Sequence, residues 1–207
     1  LEYFKHVFCY FLDKMGVETI INKIKQGFYP KGGGRVRVIV EPVGKLNSLT
    51  LKEKGKFKRV DIWSISSERL KSKNVAERQV EGFKRILNVT GNVHILYVHT
   101  PSVGTTIHAH AHYENTKLGA DVLGEIGVPA EEVGMQCAKL LKSEMGSNAG
   151  LDKWMSDQIL PYLAIAGGGE VTVSEITDHA KTNMWVIEKF LPVKFEIKGN
   201  LISCKPI

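Results

Sequence analysis

Apolar residues recur at helical spacing in some stretches of the chain and at every second position in others, which predicts a mixed α/β architecture. Residues 2–15 carry a wide apolar stripe of Phe4, Val7, Phe8, Phe11, Leu12 and Met15, and Gly16 marks the end of that helix. Strands are expected at 17–26 and 36–40, joined by the Pro/Gly turn Gly27–Gly34. Residues 43–58 are lysine-rich and weakly patterned. Then follow a strand at 59–66, a helix at 74–88 and strands at 94–99, 105–113 and 117–122, the order of a compact α/β unit. Pro129 opens a helix that runs to about Glu144, with Glu131 and Glu132 in its first turn. A second helix holds Trp154 to Pro161, where the proline kinks or restarts it. A short strand at 170–173, a helix from about 178 and a hairpin of 193–197 with 201–204 across Gly199-Asn200 complete the chain.

Composition changes this picture little: 43% hydrophobic and 24% charged residues over 207 positions are ordinary for a globular chain. No apolar run approaches membrane-spanning length and no signal-peptide pattern is present. The chain opens at Leu1 directly in a helical pattern, which reads as the middle of a longer protein. Cys9, Cys137 and Cys204 are odd in number and far apart, so reduced thiols are expected rather than a disulfide framework or zinc knuckle. Charge is uneven. Residues 1–90 hold 19 Lys+Arg and 9 Asp+Glu, a net +10, and residues 91–207 hold 9 and 13, a net −4, which together give the overall +6. A basic half suits either a polyanionic partner such as RNA or a nucleotide, or a solvated lysine-rich surface.

The chemistry concentrates near residue 179. Thr177 or Asp178 can cap the helix that follows, with Met184, Ile187 and Leu191 at helical spacing facing the core and Pro192 as its stop. His179 then sits among unpaired backbone N–H groups at the positive end of the helix dipole, a place for an anion beside a neutral imidazole. Such an imidazole is a competent nucleophile toward phosphorus; the alternative is a capping or packing residue. Trp154 and Asp157 lie three residues apart on one helical face. Lys31 and Arg35 flank Gly32-Gly33-Gly34, which lacks the Gly-Lys-Ser/Thr ending of a phosphate-binding P-loop. His108, His110 and His112 alternate along a strand and share a face. No acidic or Cys ligand stands at matching spacing, so no metal site is expected there.

Four stretches together resemble the RNA 3'-terminal phosphate cyclase family: Gly27-Phe-Tyr-Pro-Lys-Gly-Gly-Gly34; Gly119–Gly134; Ser156-Asp-Gln-Ile-Leu-Pro-Tyr-Leu-Ala-Ile-Ala166; and Thr177 to Phe195. The resemblance spans essentially the whole chain, which corresponds to about the C-terminal three fifths of a member. It implies an α/β (α+β) fold of repeated βαβαββ-type units, with helices on one face of four-stranded sheets. Residues 1–47 and 148–207 would belong to the catalytic core and 48–147 to a small inserted α/β module.

The resemblance also implies the activity: ATP-dependent conversion of an RNA 3'-terminal phosphate to a 2',3'-cyclic phosphate, through AMP carried on His179 and then on the RNA. ATP, a divalent metal (Mg or Mn) and RNA with a 3'-terminal phosphate are the expected cofactors and partner, and the cytoplasm the expected location. Trp154 is expected to stack on the base, Tyr3 to oppose it, and Asp157 and Gln158 to lie near the nucleotide. Lys31 and Arg35 can contact phosphate or RNA. Two departures stand out. The family's N-terminal Gly-Glu-Gly-Gly-Gly segment, with its metal- and phosphate-binding side chains, is absent, and Gln26 stands where Arg or His is usual. The rival expectations are a cyclase-like ribosome-assembly protein without the adenylated histidine, or an incomplete, non-catalytic fragment.

Overall fold

The computed structural model describes residues 1–88 and 90–207, and of Lys23 the backbone alone. The N-terminal helix winds as a π-helical segment over Phe4–Phe8 and continues as α1, Cys9–Lys14. Its expected stripe is the one it buries: Val7, Phe11 and Met15 are fully enclosed. Gly16, at φ +87°, turns the chain out of the helix. Strands β1 (Thr19–Lys25) and β2 (Arg35–Val40) form an antiparallel hairpin.

Two four-stranded sheets make up the rest. The first has the order β3-β8-β10-β9, from β3 (Leu49–Leu51), β8 (Gly169–Thr172), β9 (Val193–Lys198) and β10 (Leu201–Pro206). β3 runs parallel to β8 and the other pairs are antiparallel. Between β3 and β8 the chain forms α4 (Met155–Gln158) and α5 (Leu160–Ile165), and between β8 and β9 it forms α6 (Asp178–Phe190). The succession β3, α4–α5, β8, α6, β9, β10 is one βαβαββ unit. Leu51, Val171, Phe195 and Ile202 from the sheet share a buried core with Phe11, Met155, Leu160, Leu163 and Met184 from the helices.

The inserted stretch after β3 builds the second sheet, order β5-β4-β6-β7, from β4 (Phe57–Ser67), β5 (Val93–Val98), β6 (Thr105–Tyr113) and β7 (Lys117–Leu123). A 3-10 segment, Glu68–Lys73, leads into α2 (Val75–Lys84), and α3 (Ala130–Gly146) closes the unit. Both helices cover one sheet face, where Val60, Ile62, Ile107, Ala109 and Ala111 meet Val80, Phe83, Val133 and Leu141.

Sequence and structure part at several places. Leu49–Leu51 falls inside the stretch assigned to the module, yet it pairs with Gly169–Val171 in the other sheet. The module's own sheet begins at Phe57. Helix α2 stops at Lys84, so Ile86 and Leu87 pack on the module core from beyond its end. At Pro161 the structure agrees with one of the two expected outcomes, a restart, as α5 begins at Leu160. Among the described residues, no helix is long and apolar enough to cross a membrane.

The contact between α2 and α3 depends on two glycines. A Cβ on Gly134 would fall 1.9 Å from the carbonyl oxygen of Gln79, and one on Gly82 2.0 Å from that of Glu131. Backbone oxygens inside a helix cannot swing aside, so Gly134→Ala forces the helices apart. It is expected to lower stability by about 1–3 kcal/mol, as overpacking does. An unshifted urea midpoint would show that the two helices separate freely.

Candidate functional site

Helix α6 begins as its sequence dictates. Thr177 adopts extended geometry (φ −71°, ψ 161°) and its Oγ1 accepts the N–H of Ala180 at 3.1 Å. The Thr177 carbonyl accepts the N–H of Lys181. The amides of Asp178 and His179, in the first turn, have no partner within the helix. Asp178, highly exposed, is bonded by Lys181 at 3.0 Å, which holds its carboxyl below the usual range. His179 is exposed at this helix start.

A cleft of about 350 Å³ opens beside it, lined by Lys153, Trp154, Asp157, Gln158, Glu175, Thr177 and His179. Four of these, Trp154, Asp157, Gln158 and His179, were expected at the site from the sequence, and the fold brings them together although Trp154 and His179 are 25 positions apart. The Nδ2 of Asn183 donates to the Asp157 carbonyl at 3.2 Å, which ties α6 to α4. The Nε2 of Gln158 donates to the Trp154 carbonyl at 2.8 Å. The Lys153 ammonium lies 5.0 Å from the centroid of the Trp154 ring.

The start of α4, next to Trp154, is held by a group that the sequence reading did not single out. Asp152 is fully buried and accepts three hydrogen bonds: from Tyr3 Oη at 2.6 Å, from the amide of Gly119 at 2.8 Å and from the amide of Met155 at 2.9 Å. It thereby joins the N-terminal helix, β7 and the start of α4. Burial pushes its carboxyl up to about 7, although its three donors pull the other way. The Tyr3 phenol is raised well above its ordinary value by burial and by Asp152. Gly119 makes this approach possible, since a Cβ there would meet the Tyr3 ring at 2.8 Å.

Tyr3 was expected to oppose Trp154 across a base. It is only 9% exposed, its hydroxyl is committed to Asp152, and its ring meets Trp154 edge-on, centroids 6.5 Å apart at 71°. In this arrangement it buttresses Trp154. Both rings, with Asp121 and Gln158, line a smaller adjoining cleft of about 180 Å³. Lys31 lines a different groove, with Arg69, Tyr29 and Ser102. Its amide is fixed there by the Ser102 hydroxyl at 3.0 Å. Arg35, exposed at the start of β2, lines neither of the two clefts beside Trp154.

Sequence reasoning missed Asp152, Lys153 and Glu175. Asp152 carried a signal, because an Asp three residues before a helical amide is a capping pattern. Lys153 and Glu175 are ordinary surface types that only the tertiary arrangement gathers. The donor set fits an adenine nucleotide with a divalent ion: an indole beside the cleft, a lysine and a helix start for phosphate, and two carboxylates, Asp157 and Glu175, for a hard cation.

A family model described as RNA 3'-terminal phosphate cyclase matches residues 1–197. Curated proteins named RNA 3'-terminal phosphate cyclase from Pyrococcus furiosus, Thermococcus onnurineus and Methanococcoides burtonii are 38%, 35% and 36% identical to the chain. These matches cover 97%, 97% and 96% of this chain and 59%, 59% and 58% of the relatives. The chain thus spans about three fifths of the length of the curated relatives it matches.

Proposed function

Because the chain belongs to the RNA 3'-terminal phosphate cyclase family, we propose that it carries the nucleotidyl-transfer centre of an enzyme that cyclises RNA 3'-terminal phosphates at the expense of ATP. The observation that supports this reading most is His179 at the open start of α6, in one cleft with Trp154, Lys153, Asp157 and Gln158. In this proposal a ring nitrogen of His179 attacks the α-phosphorus of ATP. A P–N bond forms, the P–O bond to the leaving group breaks, and pyrophosphate departs. An oxygen of the RNA 3'-phosphate then attacks the same phosphorus, the P–N bond breaks, and AMP moves to the RNA. Last, the neighbouring 2'-hydroxyl attacks the 3'-phosphorus, loses its proton to solvent and expels AMP, which leaves the cyclic phosphate.

The chain's own residues take distinct parts. Trp154 stacks on the base, as far as Lys153 leaves its face free, and Lys153 and the amides of Asp178 and His179 neutralise phosphate charge. Asp157 and Glu175 are the carboxylates that would hold a Mg or Mn ion, whose contribution is charge neutralisation at the phosphates. Lys31 and Arg35, outside the cleft, are assigned to the backbone of the RNA. The cytoplasm is the proposed location, in keeping with Cys9, Cys137 and Cys204, which are all free and buried.

The test is incubation of the complete gene product with α-labelled ATP and a divalent ion. Label that is lost in acid and released by hydroxylamine supports a histidine phosphoramidate. A gene product that takes up no label would instead be a non-catalytic relative. Trp154→Ala is expected to raise the ATP concentration needed for half-maximal labelling about tenfold, within the roughly 1–3 kcal/mol of base stacking. Trp154→Tyr, which keeps a stacking face, should change it little. Equal ATP dependence of the two variants would assign Trp154 to packing alone.

A further inference from the structure

The module's sheet has a second face, turned away from α2 and α3, and it carries a set of side chains that the proposed reaction does not use. In the register of β4 on β6, Asp61 lies opposite His110, and in that of β6 on β7, His108 lies opposite Asp121. His112 Nε2 is 2.7 Å from Asp61 Oδ2, and His110 Nε2 is 3.9 Å from the same oxygen. One ligand atom from each of Asp61, His110 and His112 falls within 4.8 Å of the others. Asp61 and His110 are buried, and the His112 side chain is 13% exposed at the edge of the group.

Hydrogen bonds order this group. His108 Nδ1 is 2.8 Å from Asp121 Oδ1, and His108 Nε2 is 3.0 Å from His110 Nδ1. Asp121 thus reaches His110 through the His108 ring, a relay of two hydrogen bonds that fixes the ring of His110 and leaves its Nε2 turned toward Asp61. At 3.9 Å that nitrogen and the carboxylate oxygen are too far apart for a hydrogen bond, and a cation can bridge such a gap. A ligating histidine commonly bonds a further group through its other ring nitrogen, the part that His108 takes for His110. The His6 and Trp63 rings stack over His110 at 5.4 and 5.1 Å and shield it from solvent.

We propose that Asp61, His110 and His112 bind a divalent transition ion of the zinc class, with a fourth position open to water. Neutral imidazoles and one carboxylate form a donor set suited to such an ion. Bonds of about 2.1 Å in tetrahedral geometry separate ligand atoms by about 3.4 Å, and the observed 2.7 and 3.9 Å lie on either side of that. Small side-chain rotations complete the site. Arg59 Nε at 3.1–3.2 Å and the amide of Asn92 at 2.8 Å hold Asp61 from its other side. Before binding, His112 donates its Nε2 proton to Asp61. On binding, that proton passes through solvent to His112 Nδ1, and the ring stays neutral. Sequence spacing argued against a metal here because it sought the acidic ligand nearby in the chain. Asp61 is 51 residues from His112 and arrives through strand pairing.

The experiment is titration of the untagged, chelator-stripped chain with Co²⁺, followed by visible absorption and by metal analysis. One equivalent should bind with the spectrum of a four- or five-coordinate nitrogen/oxygen site, and Zn²⁺ should displace it. His110→Ala and Asp61→Asn should abolish binding. His112→Gln, at the exposed edge and with little risk to the fold, should weaken it at least 100-fold. Asp121→Asn, which acts only through the relay, should weaken it about 10- to 100-fold. His94→Gln, which removes a ring stacked on Trp63 and is not a ligand, should leave it unchanged. Absence of saturable binding overturns the proposal, and so does binding that survives His112→Gln undiminished.

Discussion

His179→Ala is expected to eliminate covalent AMP labelling of the complete gene product and to leave its fold intact. The two halves of this expectation come from the same place in the structure. His179 is exposed in the first turn of α6, so little packing is lost when its ring is removed. The helix keeps its cap, because Thr177 Oγ1 bonds the Ala180 amide and not residue 179. The buried anchors Ala180 and Met184 are untouched. A surface substitution of this kind shifts stability by no more than about 0.5 kcal/mol. Labelling is expected to show no such tolerance, because among the described residues no other imidazole lines this cleft. His179→Asn should behave alike, since an amide offers no comparable nucleophile. The measurements are α-labelled ATP incorporation and urea denaturation of the same preparations. Undiminished labelling of either variant would place the nucleophile elsewhere, and lost labelling with lost structure would make His179 a structural residue.

Asp152→Ala is expected to be the most destabilising single change near the site. It strands three buried donors, the Tyr3 hydroxyl and the amides of Gly119 and Met155, in a place water does not reach. Each orphaned group costs about 1–3 kcal/mol, and partial relaxation brings the expected total to about 3–5 kcal/mol. The effect should depend on pH, and its sign follows from burial. The carboxyl titrates from 3.8 in the unfolded chain and about 7 in the folded one, so the folded state holds the proton more tightly. The contribution is therefore fully present below about pH 4 and is lost as pH rises to about 7. At most roughly 4 kcal/mol is at stake, at 1.36 kcal/mol per unit. Urea denaturation between pH 4 and 8 should show the parent protein weakening across this window. The penalty of Asp152→Ala should be larger at pH 5 than at pH 8. A penalty that stays constant between pH 5 and pH 8 would mean that the three hydrogen bonds outweigh burial and that Asp152 is ionised throughout this range.

The parts of this molecule that were legible in its sequence are those set by local physics. The apolar stripe of Phe4 to Met15 and the start of α6 came out of periodicity and capping alone, and of the two caps offered, Thr177 and Asp178, the structure uses Thr177. Trp154 and Asp157, three residues apart, do line one cleft. What escaped was set by pairing across long distances. β3 is only three residues long, too short for a pattern, and its place in the core sheet is decided by β8. Tyr3 could be read as an aromatic but not as a donor to Asp152, 149 residues away. The three histidines on β6 were seen, while the acid that completes their geometry lies on β4.

Trp154 lies at a seam between the two units, and that limits how the architecture can change. An inserted unit whose chain enters at β4 and leaves at the end of α3 looks like a cassette that evolution or an engineer could delete or exchange. Yet Trp154 packs on the cores of both units, Asp152 takes a hydrogen bond from Gly119 inside the insert, and the Tyr3 ring lies edge-on to His108 within it. Excision would remove Asp121 from the smaller cleft beside Trp154, bare the side of Trp154 that packs on the module core and leave Asp152 without the Gly119 amide. The insert has become part of the scaffold, so shortened descendants of this chain would need a replacement for Gly119 and for the surface behind Trp154 before they could lose it.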